Sequence, residues 1–334
     1  MSDALLQQTI ELSAIRLSNQ VPDELAGQRL DQIAALLFSG YSRSKLSEWI
    51  KAGSLTVDGR VARPRDAMRG GEQISLIAQA ESVSVDVAQA IDFEVLYQDE
   101  SLLVINKPAG LVVHPGAGNA DKTLVNGLLH FDASLRALPR AGIVHRLDKD
   151  TTGCLVIART LSAHHSLVDA LAEREMGREY EAVVHGIPVS GGLVDVPIDR
   201  SHNNRLKMSV SETGKAARTH FRVHERYRAH ALLRLKLDTG RTHQIRVHLQ
   251  YSGFSVVGDP LYSGRFRKPA GATPELLAAL SGFKRQALHA FRLTLTHPVT
   301  EKTIVVTAPR PADFQSLIDV MQNDADHEDE SNFR

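Results

Sequence analysis

The chain has 334 residues, 43% hydrophobic and 23% charged, with a formal net charge of zero. That balance is ordinary for a globular protein, leaves room for one large domain plus a smaller one, and decides nothing about a nucleic-acid partner, since acids elsewhere can offset a basic face. The single cysteine, Cys154, excludes an intrachain disulfide and any multi-cysteine metal site. It follows Gly153 into an apolar run and reads as a small buried hydrophobe rather than a reactive thiol. Residues 1–20 lack the basic-then-apolar order of a signal peptide, and no apolar run approaches the length of a transmembrane helix. A cytoplasmic location is therefore expected.

Residues 1–25 read as a leader in which polar and apolar residues alternate enough for a short strand. Residues 26–76 read as a small separate module. Leu30, Ile33, Ala34 and Leu37 fall at helical spacing. A second helix opens after Ser42 as N-cap, carries Leu46, Trp49 and Ile50 on its apolar face, and stops at Gly53. Trp49 fits the core better than a base-stacking role. Asp58-Gly59 between two β-branched runs predicts a two-residue hairpin. Eight basic residues, among them Arg29, Arg43, Lys45 and Lys51, face five acidic ones. Residues 77–92 are polar and small and read as a linker.

The second domain is expected over residues 93–315. Strands are predicted at 95–97 and 102–105, followed by Asn106-Lys107-Pro108. Gly116-Ala117-Gly118 is not a dinucleotide fingerprint, because Asp121 occupies the third glycine position. A short helix is expected over 123–130. Residues 142–153 then read Gly-Ile-Val-His-Arg-Leu-Asp-Lys-Asp-Thr-Thr-Gly. Ile143-Val144 before and Leu155–Ala158 after read as buried strands. Between them lie Asp148, Asp150, His145, Arg146 and Lys149. Either this is a surface hairpin with solvated charges, or the charges are paired in a site, since burying them unpaired is costly.

Further on, Ser162 can cap a helix ending near Gly177. Tyr180, Ala182 and Val184 share one strand face, which aims Tyr180 inward. Residues 193–231 carry strands and a locally basic stretch, with Arg205, Lys207, Lys215 and Arg218. Leu233, Leu235 and Leu237 alternate as a half-buried strand. Thr239-Gly240 turns into a helix predicted from Arg241 to Leu249, with Arg241 at its anion-favouring start. His243 and His248 stand five apart, which excludes the two-histidine zinc helix. Residues 264–285 read as a Gly/Pro/basic insertion with a short helix. The tail, 322–334, holds five acids and one arginine and is expected to be disordered.

Several of these segments together resemble the RluA/RluD family of pseudouridine synthases, and within it the RluD branch. His145-Arg146-Leu147-Asp148-Lys149-Asp150-Thr151-Thr152-Gly153 is similar to its signature. So are Asn106-Lys107-Pro108 with His114-Pro115, the Arg178-Glu179-Tyr180-Glu181-Ala182 segment, Thr239-Gly240-Arg241-Thr242-His243-Gln244-Ile245-Arg246 and Gly258-Asp259-Pro260-Leu261-Tyr262. The first module resembles an S4 RNA-binding domain. The resemblance implies an α+β catalytic domain with a large, mostly antiparallel sheet and a central cleft, preceded by the S4-like αα-hairpin module. It implies Asp148 as the catalytic carboxylate, Arg246 as its ionic partner, Tyr180 in the active site and Leu288 against the target base. It further implies RNA contacts from Arg146, Arg241, Lys107, Arg29, Arg43, Lys45 and Lys51, large-subunit ribosomal RNA as partner, and a monomer that needs no cofactor or metal.

The implied reaction breaks the N1–C1′ bond of uridine and rejoins the base through C5. It requires one ionised carboxylate, acting either as a nucleophile at the sugar or as a base that removes a sugar proton. Burial would raise the pKa of Asp148 and an adjacent guanidinium would lower it. A non-catalytic RNA-binding protein on the same fold, or a hydrolase using Asp148 or Asp150, are the competing readings. The first is disfavoured by the presence of both acid and arginine, the second by the absence of a nucleophile-elbow serine.

Overall fold

In the computed structural model, which describes residues 14–38, 43–79, 87–116, 118–201, 203–204, 206–264 and 268–332, the chain divides into two compact units between Asp86 and Val87. The first contains β1 (Ala14–Gln20), α1 (Leu30–Leu37), α2 (Arg43–Lys51), β2 (Leu55–Val57), β3 (Arg60–Val61) and β4 (Gln73–Gln79). Its sheet runs β1-β4-β2-β3, antiparallel throughout. Leu30, Ile33, Leu46, Trp49, Ile50, Leu55, Ile74 and Leu76 form one apolar cluster beneath the two helices. Asp58 and Gly59 both have positive φ, 49° and 74°, the backbone that the predicted tight hairpin requires.

The leader is not separate from this unit. β1 pairs along its whole length with β4, from Ala14 opposite Gln79 to Gln20 opposite Gln73. It thereby covers what would otherwise be an open edge of β4. β4 also runs to Gln79, beyond the expected boundary at 76. Ser42, expected as a helix cap, lies outside the described residues.

The second unit begins earlier than position 93. Asn126 Nδ2 donates to the Val87 carbonyl, and the Gln89 amide donates to that of Asn126. Its strands are β5 (Glu94–Gln98), β6 (Leu102–Lys107), β7 (Thr152–Ala158), β8 (Gly177–His185), β9 (Gly192–Asp195), β10 (Ile198–Arg200), β11 (Met208–Val210), β12 (Arg218–Arg226), β13 (His230–Leu237), β14 (Leu288–Thr296) and β15 (Thr303–Thr307). Its helices are α3 (Leu124–Phe131), α4 (Leu161–Ala172), α5 (Gln244–Tyr251), α6 (Pro274–Gly282) and α7 (Ala312–Asn332). The main sheet runs β5-β6-β7-β14-β8-β13-β12-β9, with β15 also paired to β14, and β10-β11 form a separate ribbon. All ladders of the main sheet are antiparallel except β7 with β14.

Period-2 alternation sends Leu103, Ile105, Leu155 and Ile157 to one face, against α3. Leu102, Val104, Cys154 and Val156 go to the other, against α4. Burial on both faces accounts for the unbroken apolar runs in β6 and β7. α3 opens on a capping box between Thr123 and Asn126. Thr160, not Ser162, caps α4, its side chain accepting from the Ala163 amide.

The acidic tail is a correction. α7 continues to Asn332, and Phe314, Leu317, Ile318 and Met321 pack into the main core, so the unit does not end at 315. Asp324 is buried, accepting from Arg228 Nε at 2.6 Å and from the Thr273 amide at 2.7 Å. An acid held by an arginine and a helix-start amide resembles a solvated tail in composition, which is why its charge misleads.

Gly153 permits a close approach of two strands. Its φ is +111°, and a Cβ there would lie 2.2 Å from the Ala290 carbonyl oxygen. The absent side chain lets β7 reach β14 where Ala290 pairs with Gly153. Gly153→Ala should cost about 3 kcal/mol of stability, read as a lower denaturant midpoint at unchanged slope. A midpoint within error of the parent would refute the close-approach account.

Candidate functional site

The charged loop crosses the mouth of a cavity of about 700 Å³ in the second unit, lined among others by His114, Arg146, Asp148, Arg178, Tyr180, Arg241, Arg246 and Leu288. Ile143 makes only an isolated bridge to Ile157, so the strand expected before the loop is absent. Gly142 explains the entry. Its φ is +80°, and a Cβ would lie 2.0 Å from the Ala158 carbonyl oxygen. The loop is thus pinned to β7 at its start and continuous with it at its end.

Two side chains hold the loop from beneath, the half-buried His145 and the buried Lys107. His145 Nε2 accepts a hydrogen bond from the Val156 amide at 3.2 Å. Burial, aided by the nearby charge of Arg178, pushes its pKa down to about 3, so the ring is neutral. Lys107, expected at an RNA phosphate, is instead fully buried. Its ammonium donates to the carbonyls of Pro108, Leu111 and Lys149, at 2.8, 2.9 and 2.8 Å. Burial lowers its pKa to about 7 against the attraction of Asp150 and Asp148, while three carbonyl acceptors match the three donors of an ammonium. A lysine inside an Asn-Lys-Pro segment looks like a surface cation in sequence. Only the tertiary fold reveals that it clamps position 149.

Asp148 is brought to Arg246 across 98 positions of sequence. Arg246 Nη1 donates to Asp148 Oδ2 at 2.9 Å. The rest of the guanidinium is engaged by Asp259, with Nε to Oδ2 at 2.6 Å and Nη2 to Oδ1 at 2.9 Å. Asp259 is itself buried and accepts from the amides of Leu261 and Tyr262. The Tyr262 ring lies 4.9 Å from the guanidinium carbon, and its hydroxyl hydrogen-bonds His243 Nδ1 at 2.9 Å. Burial opposes the charge of Arg246, but the hydrogen bonds and charges of Asp259 and Asp148 outweigh it and raise its pKa. One guanidinium therefore serves two carboxylates: Asp259 is sealed, while Asp148 keeps 16% of its side chain exposed to the cavity. Asp150 does not line the cavity. The sequence reading marked residues 258–262 as a motif without giving Asp259 a role. The signal available was an acid among apolar neighbours, with a second carboxylate needed to satisfy an arginine's remaining donors.

Tyr180 sits on β8, 6% exposed, with Ala182 and Val184 in the same core. Burial pushes its hydroxyl up to about 12, Arg178 opposing and Asp148 adding to the shift, so at neutral pH it is a proton donor. Leu288 opens β14 opposite Ala182 and lines the same cavity as Tyr180. Arg241 also lines it, but not from a helix start. α5 begins at Gln244, because His243 takes a left-handed backbone with φ +56° and Gln244 Oε1 accepts from Thr239 Oγ1 and the Arg241 amide. Arg241 Nε donates to the Ala216 carbonyl.

The residues matching this geometry also match known proteins. The profile of RNA pseudouridylate synthases covers residues 101–251, and that of the S4 domain residues 28–74. "Ribosomal large subunit pseudouridine synthase D" of Xanthomonas campestris pv. campestris is 54% identical over 305 residues, 91% of this chain and 92% of that one. The chain belongs to the RNA pseudouridylate synthase family. A protein of the same name from Pseudomonas aeruginosa is 53% identical over 93% of this chain and 97% of its own. The solved structure of "Human RNA Pseudouridylate Synthase Domain Containing 4" aligns with a TM-score of 0.54 at 29% identity, over 69% of this chain and 93% of that one.

In this pseudouridylate synthase the cations expected at RNA fall into distinct groups. Arg146 and Arg241 are exposed on the cavity wall. Lys51 is exposed on the S4 unit. Arg29 and Arg43 both bind the buried Asp31, at 2.9 and 2.8 Å, so they anchor α1 and together present one net positive charge rather than two free ones. The side chain of Lys45 lies outside the described residues.

Asp259→Asn should destabilise the second unit by about 3 kcal/mol, because Arg246 loses its sealed counter-ion. The same change should lower turnover while RNA affinity holds. A variant with parental stability and rate would show that Asp259 does not hold Arg246 in place.

Proposed function

We propose that this synthase converts specific uridines of large-subunit ribosomal RNA to pseudouridine, with Asp148 as the catalytic carboxylate. The observation that carries the reading is the Asp148–Arg246 ion pair, 2.9 Å long, in a cavity that also holds Tyr180 and Leu288. The names of the relatives at 54% and 53% identity support the substrate class. Stem-loop selection in the cytoplasm by a monomer fits that reading, and no helix among the described residues is long and apolar enough to cross a membrane.

The chemistry follows from the groups present. Arg246 holds the Asp148 carboxylate in place through a charge-assisted hydrogen bond. The carboxylate then attacks C1′ or removes a sugar proton. In either case the N1–C1′ bond breaks with its electron pair leaving on the base. Tyr180 offers a flat face for the uracil and a protonated hydroxyl for later proton transfer, and Leu288 closes the pocket on the apolar side. The base must leave its stack to enter, and exposed Arg146 and Arg241 suit the phosphates flanking it. Selection by RNA shape and unpaired bases is the mode open to such a site. The S4 unit adds grip through Lys51 and its neighbours.

Asp148→Asn should abolish pseudouridine formation in a transcript of the large-subunit RNA, read by carbodiimide adducts and primer extension, with binding retained. Asp150→Asn, outside the cavity, should keep at least a tenth of the parental rate. Turnover by the first variant, or equal inactivation by the second, overturns the assignment of the acid. Removing residues 1–86 should weaken RNA affinity and flatten its dependence on salt while leaving the rate on saturating RNA within about threefold. An unchanged salt slope would exclude a phosphate-gripping role for the S4 unit.

A further inference from the structure

Among the cations lining the cavity, Arg178 stands apart. Arg140, Arg146, Arg174 and Arg241 are exposed. Arg246 is buried but has two carboxylates. Arg178 is 7% exposed, and among the described residues its Nε is buried with no hydrogen-bond partner. Among the described residues no ion pair offsets its charge. An arginine does not shed its proton at any ordinary pH, so this is a fixed positive charge, mostly withdrawn from water and with no carboxylate partner among the described residues, a costly arrangement in a resting fold.

The surroundings are built to accept it. Arg178 stands two residues before Tyr180 on β8, so both point to the same face. Gly240 is packed directly against the Arg178 guanidinium. No positive φ requires glycine there. A Cβ at position 240 would lie 2.8 Å from Arg178 Nη1. Glycine at this turn makes room for a guanidinium rather than for an unusual backbone.

We propose that Arg178 is a catalytic residue that binds the uracil base as it becomes an anion. The inference rests on the reading of this cavity as the reaction site. When the N1–C1′ bond breaks, the electron pair goes to N1, and the resulting uracilate spreads its charge over N1, O2 and O4. Nucleophilic attack and sugar-proton removal both pass through that departure, so the need is the same on either route. A guanidinium presents paired N–H donors in one plane, suited to ring nitrogen and carbonyl oxygen together. It is already largely buried, and a charge in place before reaction is effective at the moment charge develops. Burial assigns Arg178 to the base rather than to the RNA backbone. Phosphates stay near solvent, where the exposed arginines are, whereas a base stacked on Tyr180 reaches the depth of Arg178.

The test uses the full chain and large-subunit RNA transcripts carrying either uridine or 5-fluorouridine. Fluorine at C5 makes the base a weaker base and a better leaving group, less dependent on outside stabilisation. Single-turnover cleavage is followed by nuclease digestion and chromatography, counting nucleotides whose N1–C1′ bond has broken. Arg178→Gln is expected to slow uridine cleavage by about 10²–10³-fold and 5-fluorouridine cleavage at least tenfold less, with Kd and its salt slope unchanged. Arg178→Lys, which keeps the charge, should fall between. Gly240→Ala keeps Arg178 but displaces its head group, and should reproduce the loss and its relief by fluorine if Arg178→Gln fails to fold. Equal losses on both bases would make the role structural and overturn the proposal. A loss confined to Kd with a shallower salt slope would make Arg178 a phosphate contact and overturn it as well. Asp148→Asn separates the two readings: its retained turnover would defeat the site itself, whereas its inactivity beside a fully active Arg178→Gln would defeat only the role of Arg178.

Discussion

The site depends on one guanidinium shared unequally between two carboxylates. Asp259 takes two of the donors of Arg246 and is sealed from solvent, while Asp148 takes a third and remains open to the cavity. This asymmetry solves a problem that a simple pair leaves unsolved. A buried arginine facing only a reactive carboxylate would lose its sole counter-ion whenever that carboxylate bonded to substrate. With Asp259 behind it, Arg246 keeps a partner throughout, and Tyr262 stacked on its face limits how it can turn. Asp148 can change partners without leaving Arg246 unpaired, because Asp259 still holds it.

Around this centre the positive charges are sorted by depth. Lys107 and Arg246 are buried and engaged, the first by backbone carbonyls and the second by carboxylates. They shape the loop and its acid and are unavailable to RNA. Arg140, Arg146, Arg174 and Arg241 are exposed at the rim, where water and salt reduce their individual worth but their number can orient a polyanion. On the S4 unit the same sorting recurs, since Arg29 and Arg43 share the buried Asp31.

Asp148, Tyr180, Arg246 and Leu288 are legible in the sequence through the resemblance of their segments to family motifs, and all four line one cavity. What could not be read was any property set by distant chain. Lys107 looks like a surface cation until its three carbonyl acceptors, one of them 42 positions away, are in place. Asp324 looks like part of a solvated tail until Arg228 and Thr273 are found beside it. β1 carries little pattern of its own and is defined by its pairing with β4. The helix expected from Arg241 starts three residues late because the Gln244 side chain satisfies the turn before it.

The place of β14 bears on how the enzyme comes into being. Among the described residues it is the only strand that touches both halves of the main sheet, parallel to β7 on one side and antiparallel to β8 on the other, yet it is drawn from residues 288–296. Until that segment is available, β5-β6-β7 with the loop of Asp148 has no lateral bond to β8-β13-β12-β9, where Tyr180 stands. Without residues 288–296 the two halves of the site would meet through side-chain contacts such as the Asp148–Arg246 pair but through no pairing of strands. Such non-local closure slows folding, and it ties the assembled sheet to residues 288–296.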